Sequence, residues 1–268
     1  MWARCAYSEL KNFKCVSHLT HPVNQESVMS KFKPMSRAVR ATVNAAFERV
    51  RMSWTSKLGT YSWSLQARET CPGSLGDDGE LVDACKGCYA SFGNYIYENV
   101  KAPRRHNKED WERAEWEDDM VSICSPLYYV RLFDSGDMYA LALARKWLNV
   151  FRRCPDTQFW LPTRMHKFPK FAAILNAMNT LPNVCVRPSS DSVLGEFDPA
   201  VHGSVIFPAG STPPEGVFEC GAYTRDGQCG PCRACYDKDI PVIGYPSHGR
   251  VMSALVRRRL ASIAVVTA

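Results

Sequence analysis

Apolar and polar positions alternate along short segments that recur through the chain, which is the pattern of half-buried β-strands. The first segment covers residues 59–65, and five more cover 127–133, 158–164, 183–189, 203–207 and 240–245. Each is rich in the β-branched and aromatic residues that favour strands. The pattern therefore predicts six strands between residues 59 and 245.

Helical periodicity fills most of the intervals between these strands. It predicts helices at 90–100, 108–123, 137–153 and 168–178, with two more at 36–52 and 247–265. The helix at 137–153 has an apolar stripe that includes Met138, Ala144 and Phe151, and Asp137 stands near its start, where it could cap the helix.

Strands that alternate with helices predict parallel βαβ units, hence an α/β fold built as a TIM-barrel-like (partial or full) parallel barrel or an open doubly wound sheet. The barrel is favoured because each strand is followed by polar or reactive residues, and the carboxyl ends of barrel strands form the active face. The residues in question are Cys71, Ser135–Asp137, Thr163, Arg164, Ser189–Asp191, Pro208–Gly210 and His248. The same residue types are common in ordinary turns.

Three parts of the chain are distinguished by pattern. Residues 1–57 are predicted to be an N-terminal extension with a basic amphipathic helix, 58–249 an α/β barrel-like domain, and 250–268 a C-terminal helix packed on that domain. Residues 1–30 lack periodicity and are expected to be loosely ordered. Since Met29 and Met35 also precede the basic helix, an over-long gene start is left open.

The composition is that of an ordinary globular protein, with 268 residues, 46% hydrophobic and 22% charged. No apolar run is long enough to span a membrane, and the first residues lack the apolar core of a signal peptide, which together predict a cytoplasmic location. Residues 1–70 carry eleven Lys and Arg against four Asp and Glu, a net charge of +7, and the remainder carries −1. This basic segment could contact nucleic acid, although a solvated helix face is the commoner explanation.

Seven of the twelve cysteines fall in two groups. The triad consists of Cys71, Cys85 and Cys88, and its last two members form a C-x-x-C pair. The distal set has the spacing C-x8-C-x2-C-x2-C and consists of Cys220, Cys229, Cys232 and Cys235. A C-x-x-C turn lets two thiolates face one ion, and in a reducing compartment clustered cysteines bind metal more often than they form disulfides. Both groups are therefore predicted to be metal ligands.

Three ligand schemes remain open. The triad could hold an open [4Fe-4S] cluster while the distal set forms a second site with a second cluster or zinc. The two C-x-x-C pairs could instead combine in one zinc ribbon, or one cluster could take the triad and one distal cysteine. Tetrahedral thiolate sites suit zinc, but the dense distal spacing is typical of iron–sulfur proteins, so at least one [4Fe-4S] cluster is expected. Cys124, Cys154 and Cys185 lie in apolar segments and are predicted to be small core residues.

The triad after a first strand resembles the cluster loop of radical S-adenosylmethionine enzymes, in which three cysteines bind three irons and leave the fourth for the cofactor. Thirteen residues separate Cys71 from Cys85, which departs from that family's usual spacing. Ser135, Gly136 and Asp137 are similar in place to the family's glycine–glycine–glutamate motif. The resemblance implies S-adenosylmethionine as a cofactor, with Asp137 at its amine.

A second resemblance covers residues 58–249. It rests on Trp63-Ser64-Leu65, Cys71-Pro72-Gly73, the Cys85–Ala90 segment, Ser135–Met138, Phe159–Arg164 and the distal cysteines. This combination is similar to a phage-borne group described as gene-product-88-like. The resemblance implies an iron–sulfur protein with a TIM-barrel-like core, located in the host cytoplasm, and it names no substrate.

Two classes of function follow. In the first, a radical or redox enzyme acts on an unknown small molecule, with Asp137 binding an amine, Arg164 an anionic group, and Ser189 and Asp191 orienting polar parts. His248 is the best histidine candidate for such a site. In the second, a non-enzymatic accessory protein, stabilised by an iron–sulfur cluster or zinc, binds a host protein or nucleic acid.

Overall fold

A computed structural model describes residues 32–266, so the expectations for residues 1–30 lie outside it. Five strands form one sheet in the order β1-β2-β3-β4-β5, and three form a second sheet in the order β6-β8-β7. Every pairing is parallel except that between β1 and β2, which form an antiparallel hairpin. The strands are β1 (Ser53–Thr55), β2 (Thr60–Trp63), β3 (Tyr129–Leu132), β4 (Gln158–Thr163), β5 (Val184–Pro188), β6 (Gly203–Phe207), β7 (Val217–Glu219) and β8 (Val242–Pro246).

All six predicted strands are present, as β2, β3, β4, β5, β6 and β8, and the mixed α/β class with parallel strands is confirmed. Of the partial or full barrel that was predicted, the full barrel is not found, because residues 32–266 do not form a closed one. The two sheets meet at one isolated bridge, between Ser189 and Ser204, and no strand pairing links β7 to β1. We call the gap between β7 and the β1–β2 hairpin the seam.

The helices are α1 (Arg37–Arg49), α2 (Asp83–Lys86), α3 (Glu98–Asp110), α4 (Trp116–Cys124), α5 (Leu141–Arg153), α6 (Pro169–Asn179) and α7 (Arg250–Val266). The predicted helix at 90–100 is wrong for residues 90–97, where Gly93 has a φ of +57° and the chain makes short 3₁₀ turns; only its last three residues are helical, as the start of α3. The predicted helix at 108–123 is broken after Asp110, and both Trp111 and Trp116 are buried at the break. The N-cap of α5 is Ala140 rather than Asp137.

The two faces of the larger sheet have different chemistry. Trp63 of β2 packs edge-on against Trp116 and Trp147 of the helices that cover one face. On the other face, Trp160 of β4 lies against Tyr236, which belongs to the loop that carries the distal cysteines. Side chains alternate between the two faces of a strand, so these contacts lie on opposite faces of the sheet. The helices therefore pack on one face, and the distal loop packs on the other.

The structure also bears on the predictions about the apolar cysteines and about membrane-spanning segments. Cys124, Cys154 and Cys185 are buried, as expected for small core residues. None of the helices in residues 32–266 is both long enough and apolar enough to cross a lipid bilayer.

Candidate metal centres and their supports

The triad lies on the loop that links β2 to α3. Cys71 precedes a 3₁₀ turn at Pro72–Ser74, and Cys85 lies in α2. The N–H of Cys88 donates to the carbonyl oxygen of Cys85 at 3.2 Å, which closes the C-x-x-C turn. The N–H of Ala84 donates to the carbonyl oxygen of Asp191, beyond the end of β5, at 3.0 Å. The structure therefore places the triad loop against the carboxyl edge of the parallel sheet.

Burial makes two of the triad's thiols harder to deprotonate. Burial raises the pKa of Cys71 to about 12, and the carboxylate of Asp137 and the thiols of Cys88 and Cys85 add to the rise. Burial also raises the pKa of Cys85, although the nearby Arg164 guanidinium opposes the change. Because metal ions bind the thiolate form, a metal at this site would have to displace these protons.

A cluster of three charged side chains holds the triad loop in place. Arg164 Nε donates to Asp191 Oδ1 at 3.1 Å, and Lys167 Nζ donates to Asp191 Oδ2 at 2.7 Å. Lys167 Nζ also donates to the carbonyl oxygen of Leu75, inside the long insertion of the triad loop, at 2.8 Å. The cluster thus ties this insertion to the segments that follow β4 and β5.

Asp137 is 6% exposed and its carboxylate is engaged inside the protein. Its Oδ1 accepts from the N–H of Met138 at 2.7 Å and from Thr163 Oγ1 at 2.8 Å, and its Oδ2 accepts from the N–H of Arg164 at 2.7 Å. The N–H of Asp137 donates to the carbonyl oxygen of Thr70, next to Cys71. Asp137 therefore fastens the end of β4 to the start of the triad loop.

Ser135 and Gly136 complete this junction. Ser135 Oγ donates to the carbonyl oxygen of Leu65 at 2.7 Å. Gly136 has a φ of +76°, and a Cβ there would lie 2.6 Å from Leu65 Cβ and 2.7 Å from Thr70 Oγ1. The position therefore requires glycine for two reasons, the left-handed backbone and the absence of space for a side chain.

We expect Gly136→Ala to lower the free energy of unfolding by about 2–3 kcal/mol, because it adds backbone strain to a steric clash. Gly210→Ala is the matched control, since Gly210 has a φ of +83° but a Cβ there would meet no other atom within 4 Å. Urea denaturation of both variants measures the difference. Equal losses in the two variants would mean that only backbone strain matters at Gly136.

A buried ion pair that sequence reasoning missed supports the segment after Cys88. Arg104 Nη2 and the Tyr95 hydroxyl both donate to Asp134 Oδ2 at 3.0 Å, and the Tyr89 hydroxyl donates to the carbonyl oxygen of Asp134. Arg104 and Asp134 are 4% and 7% exposed. Nothing in the local pattern marks Arg104 as buried, because it lies in a strongly polar stretch of sequence.

The distal cysteines line one cavity. Cys220 follows β7, and the cavity, of about 20 Å³, is lined by all four distal cysteines and by none of the triad. Burial raises the pKa of Cys235 to about 12, partly opposed by a hydrogen bond to Tyr245 and by Arg187, while Cys220 and Cys229 add to the rise. The two groups of cysteines therefore occupy separate places in the fold.

Arg187 of β5 organises the distal loop and was also missed by sequence reasoning. It is completely buried, and its five N–H groups donate to five carbonyl oxygens. The acceptors are the carbonyl oxygens of Ala234, Cys235, Asp237, Ile240 and Pro241, at 2.5–3.4 Å. This cation therefore fixes the backbone around Cys235.

The remaining candidates lie apart from the triad's immediate supports. The N–H of Ser189 donates to the carbonyl oxygen of Thr163, and its hydroxyl oxygen accepts from Ser204 Oγ at 3.4 Å. The ring of His248 lies 4.6 Å from the ring of Tyr223, and Lys57 Nζ lies 4.7 Å from that same tyrosine ring. His248 therefore belongs to the neighbourhood of the seam.

Across residues 32–266, no group of three or more His, Cys, Asp or Glu side chains is placed so that it could hold a metal ion. The structure gives the position of each set of cysteines and the contacts that support it.

The family model described as gene product 88 matches residues 34–238, a range that includes both the triad and the distal set. No curated protein and no solved structure matches the chain.

Proposed function

The chain belongs to the gene product 88 family of phage proteins, and we propose that it is an iron–sulfur redox protein whose [4Fe-4S] cluster is held by Cys71, Cys85 and Cys88. The observation that supports this proposal is the position of the loop that carries all three cysteines. Hydrogen bonds from the N–H of Ala84 to the carbonyl oxygen of Asp191 and from the N–H of Asp137 to that of Thr70, each at 3.0 Å, hold this loop at the carboxyl edge of the parallel sheet. A site for small-molecule chemistry is expected at that edge in α/β folds.

The donor set and its surroundings fit such a group. Thiolates are the ligands that iron–sulfur clusters prefer, and three of them leave one iron for an exogenous ligand. A bound cluster would supply one-electron transfer. The cations Arg164 and Lys167 oppose the rise that burial causes in the pKa of Cys85, which favours the thiolate form that a metal needs.

The side chains around the triad have positioning roles in this proposal. Arg164, Lys167 and Asp191 keep the loop between Cys71 and Cys85 against the sheet. The oxygens of Asp137 hold the end of β4, and its N–H donates to the carbonyl oxygen of Thr70, before Cys71. We therefore assign Asp137 to positioning the triad rather than to binding the amine of S-adenosylmethionine. An amino-acid-like ligand such as S-adenosylmethionine remains our proposal for the open iron, and the reaction would be a radical or redox one.

We expect protein purified without oxygen to contain iron and acid-labile sulfide. We expect Cys85→Ser and Cys88→Ser to lose the iron and sulfide that are bound at the triad. Each substitution removes a thiolate ligand, and cluster ligands are rarely replaced by a hydroxyl. Metal and sulfide analysis of the purified variants makes the measurement, with Cys124→Ala, a buried cysteine outside both sets, as the control.

Zinc without iron in the wild-type protein would contradict the proposal, as would unchanged iron and sulfide in both triad variants. The open iron is tested separately by adding S-adenosylmethionine to the reduced protein and recording its electron paramagnetic resonance spectrum. An unchanged spectrum at saturating ligand would overturn the radical enzyme and leave a cluster with a structural or redox-sensing role.

A further inference from the structure

We propose that Cys220, Cys229, Cys232 and Cys235 bind a single tetrahedral metal ion of the zinc class, and that this ion fastens the smaller sheet to the β1–β2 hairpin across the seam. The site is distinct from the triad and has a structural role. It does not depend on the presence of a cluster at Cys71, Cys85 and Cys88.

The position of the distal set spans the seam. Cys220 directly follows β7, at the edge of the smaller sheet, and its N–H donates to the carbonyl oxygen of Gly244 in β8 at 2.8 Å. The N–H of Cys229 donates to the carbonyl oxygen of Lys57, in the turn of the β1–β2 hairpin, at 2.8 Å. An ion shared by Cys220 and Cys229 would therefore connect two edges that have no strand pairing between them.

The cavity has the lining of a thiolate metal site. All four distal cysteines border it, and the triad contributes nothing to its lining. Leu58 of the hairpin, Phe218 of β7 and Ile243 of β8 contribute its apolar walls. Four thiolates in a tetrahedral arrangement suit zinc, which has no redox chemistry and stabilises folds.

The charges around the cavity favour an anionic centre. Four thiolates and one divalent ion carry a net charge of −2, which is costly to bury without compensation. Arg225 and Arg233 line the cavity, and Arg187 Nε donates to the carbonyl oxygen of Cys235 at 2.9 Å. Lys57 lies in the hairpin turn whose carbonyl oxygen accepts from the N–H of Cys229. The cations therefore come from β5, from the hairpin and from the distal loop itself.

The backbone of the distal loop makes a tight turn between Cys229 and Cys232. The N–H of Cys232 donates to the carbonyl oxygen of Cys229 at 3.1 Å, which is the turn that the Cys85–Cys88 pair also makes. Gly230 has a φ of +55°, a left-handed conformation that glycine adopts without strain. The Tyr245 hydroxyl lies 3.4 Å from Cys235 Sγ and can donate to a thiolate there. The distal loop therefore makes the C-x-x-C turn in which two thiolates can face one ion.

The test uses the full-length protein with zinc and, as a spectroscopic probe, cobalt(II). We expect one ion per chain with the absorption of a tetrahedral cobalt–thiolate site, lost in Cys232→Ser and kept in Cys85→Ser. In the wild-type protein, stripping this ion with a chelator should speed amide hydrogen exchange at residues 53–63 and 217–219 by about tenfold or more, because the seam opens locally. The wild-type measurement remains informative if Cys232→Ser fails to fold.

Three results would overturn the inference. Loss of iron and sulfide from Cys232→Ser, in amounts that Cys85→Ser retains, would mean a second cluster at the distal set. Absence of any bound ion at the distal set would remove the site. An ion that can be stripped without faster exchange at the seam would remove its role as a fastener. None of these results tests the cluster proposed at the triad. If that proposal fails, the wild-type protein should lack iron while the distal ion is still bound.

Discussion

Replacing Arg187 by methionine is expected to lower the free energy of unfolding by about 4 kcal/mol or more, because several buried groups lose their partner at once. Methionine fills a similar volume but donates no hydrogen bond, so the carbonyl oxygens that Arg187 now satisfies are left without a donor in a buried place. Each unsatisfied buried polar group costs about 1–3 kcal/mol. The loss should also release the backbone around Cys235.

Chemical denaturation measures the stability, and metal content per chain reports on the distal set. Arg187→Lys keeps the charge but has three donors in place of five, and we expect its stability to lie between those of the wild-type protein and the methionine variant. Arg152→Met, at an exposed position of α5, is the surface control and should change little. A stable Arg187→Met protein with its full metal content would show that the distal loop holds its shape without this cation.

Replacing Asp134 by alanine is expected to cost about 3–5 kcal/mol, because it leaves the Arg104 guanidinium buried without its counter-charge. The same substitution removes the acceptor of the Tyr95 hydroxyl, so the segment after Cys88 should lose one of its two contacts with Asp134. Denaturation gives the stability, and iron content gives the effect on the proposed cluster. Both should fall together.

A double-mutant cycle separates the pair from its surroundings. Arg104→Met combined with Asp134→Ala removes both charges, and we expect the double variant to be less destabilised than the sum of the two single variants. Glu98→Ala is the control, because it breaks an exposed ion pair on the same helix, between Glu98 and Arg105. The side chain of Glu98 is 71% exposed and that of Arg105 is 50% exposed. That control should have little effect, because water screens exposed pairs. Strict additivity of the single losses would mean that Arg104 and Asp134 do not stabilise each other.

Strands can be predicted from this sequence where the alternation of apolar and polar residues continues over enough residues to be recognised. β2, β3, β4, β5, β6 and β8 each lie within a segment of alternating or continuous apolar residues, apart from one or two residues at their ends. β1 and β7 have three residues each, too few for a period to be seen. The alternation of strands with helices and the polar residues after each strand predict a barrel. Neither feature determines whether the last strand pairs with the first.

The cysteines can be found from their spacing, but their supports cannot. Arg104 and Arg187 look like surface residues in sequence, and their burial depends on acceptors that are distant along the chain, such as Asp134 and the carbonyl oxygen of Ile240. The reverse holds for Asp137, which in sequence looks available for a ligand. Its oxygens are taken by Thr163 and by the backbone of Arg164, and both contacts exist only after β3 and β4 pair.

The distal loop covers the second face of the larger sheet, and this has a consequence for synthesis. All five strands of that sheet have left the ribosome before the residues around Tyr236 are made, so Trp160 and Tyr129 face solvent in the nascent chain. Exposed aromatic surface on a partly formed sheet promotes association between chains. A chain that stops before residue 234 should therefore aggregate during expression, and the yield of soluble full-length protein should depend on how quickly the last third of the chain arrives.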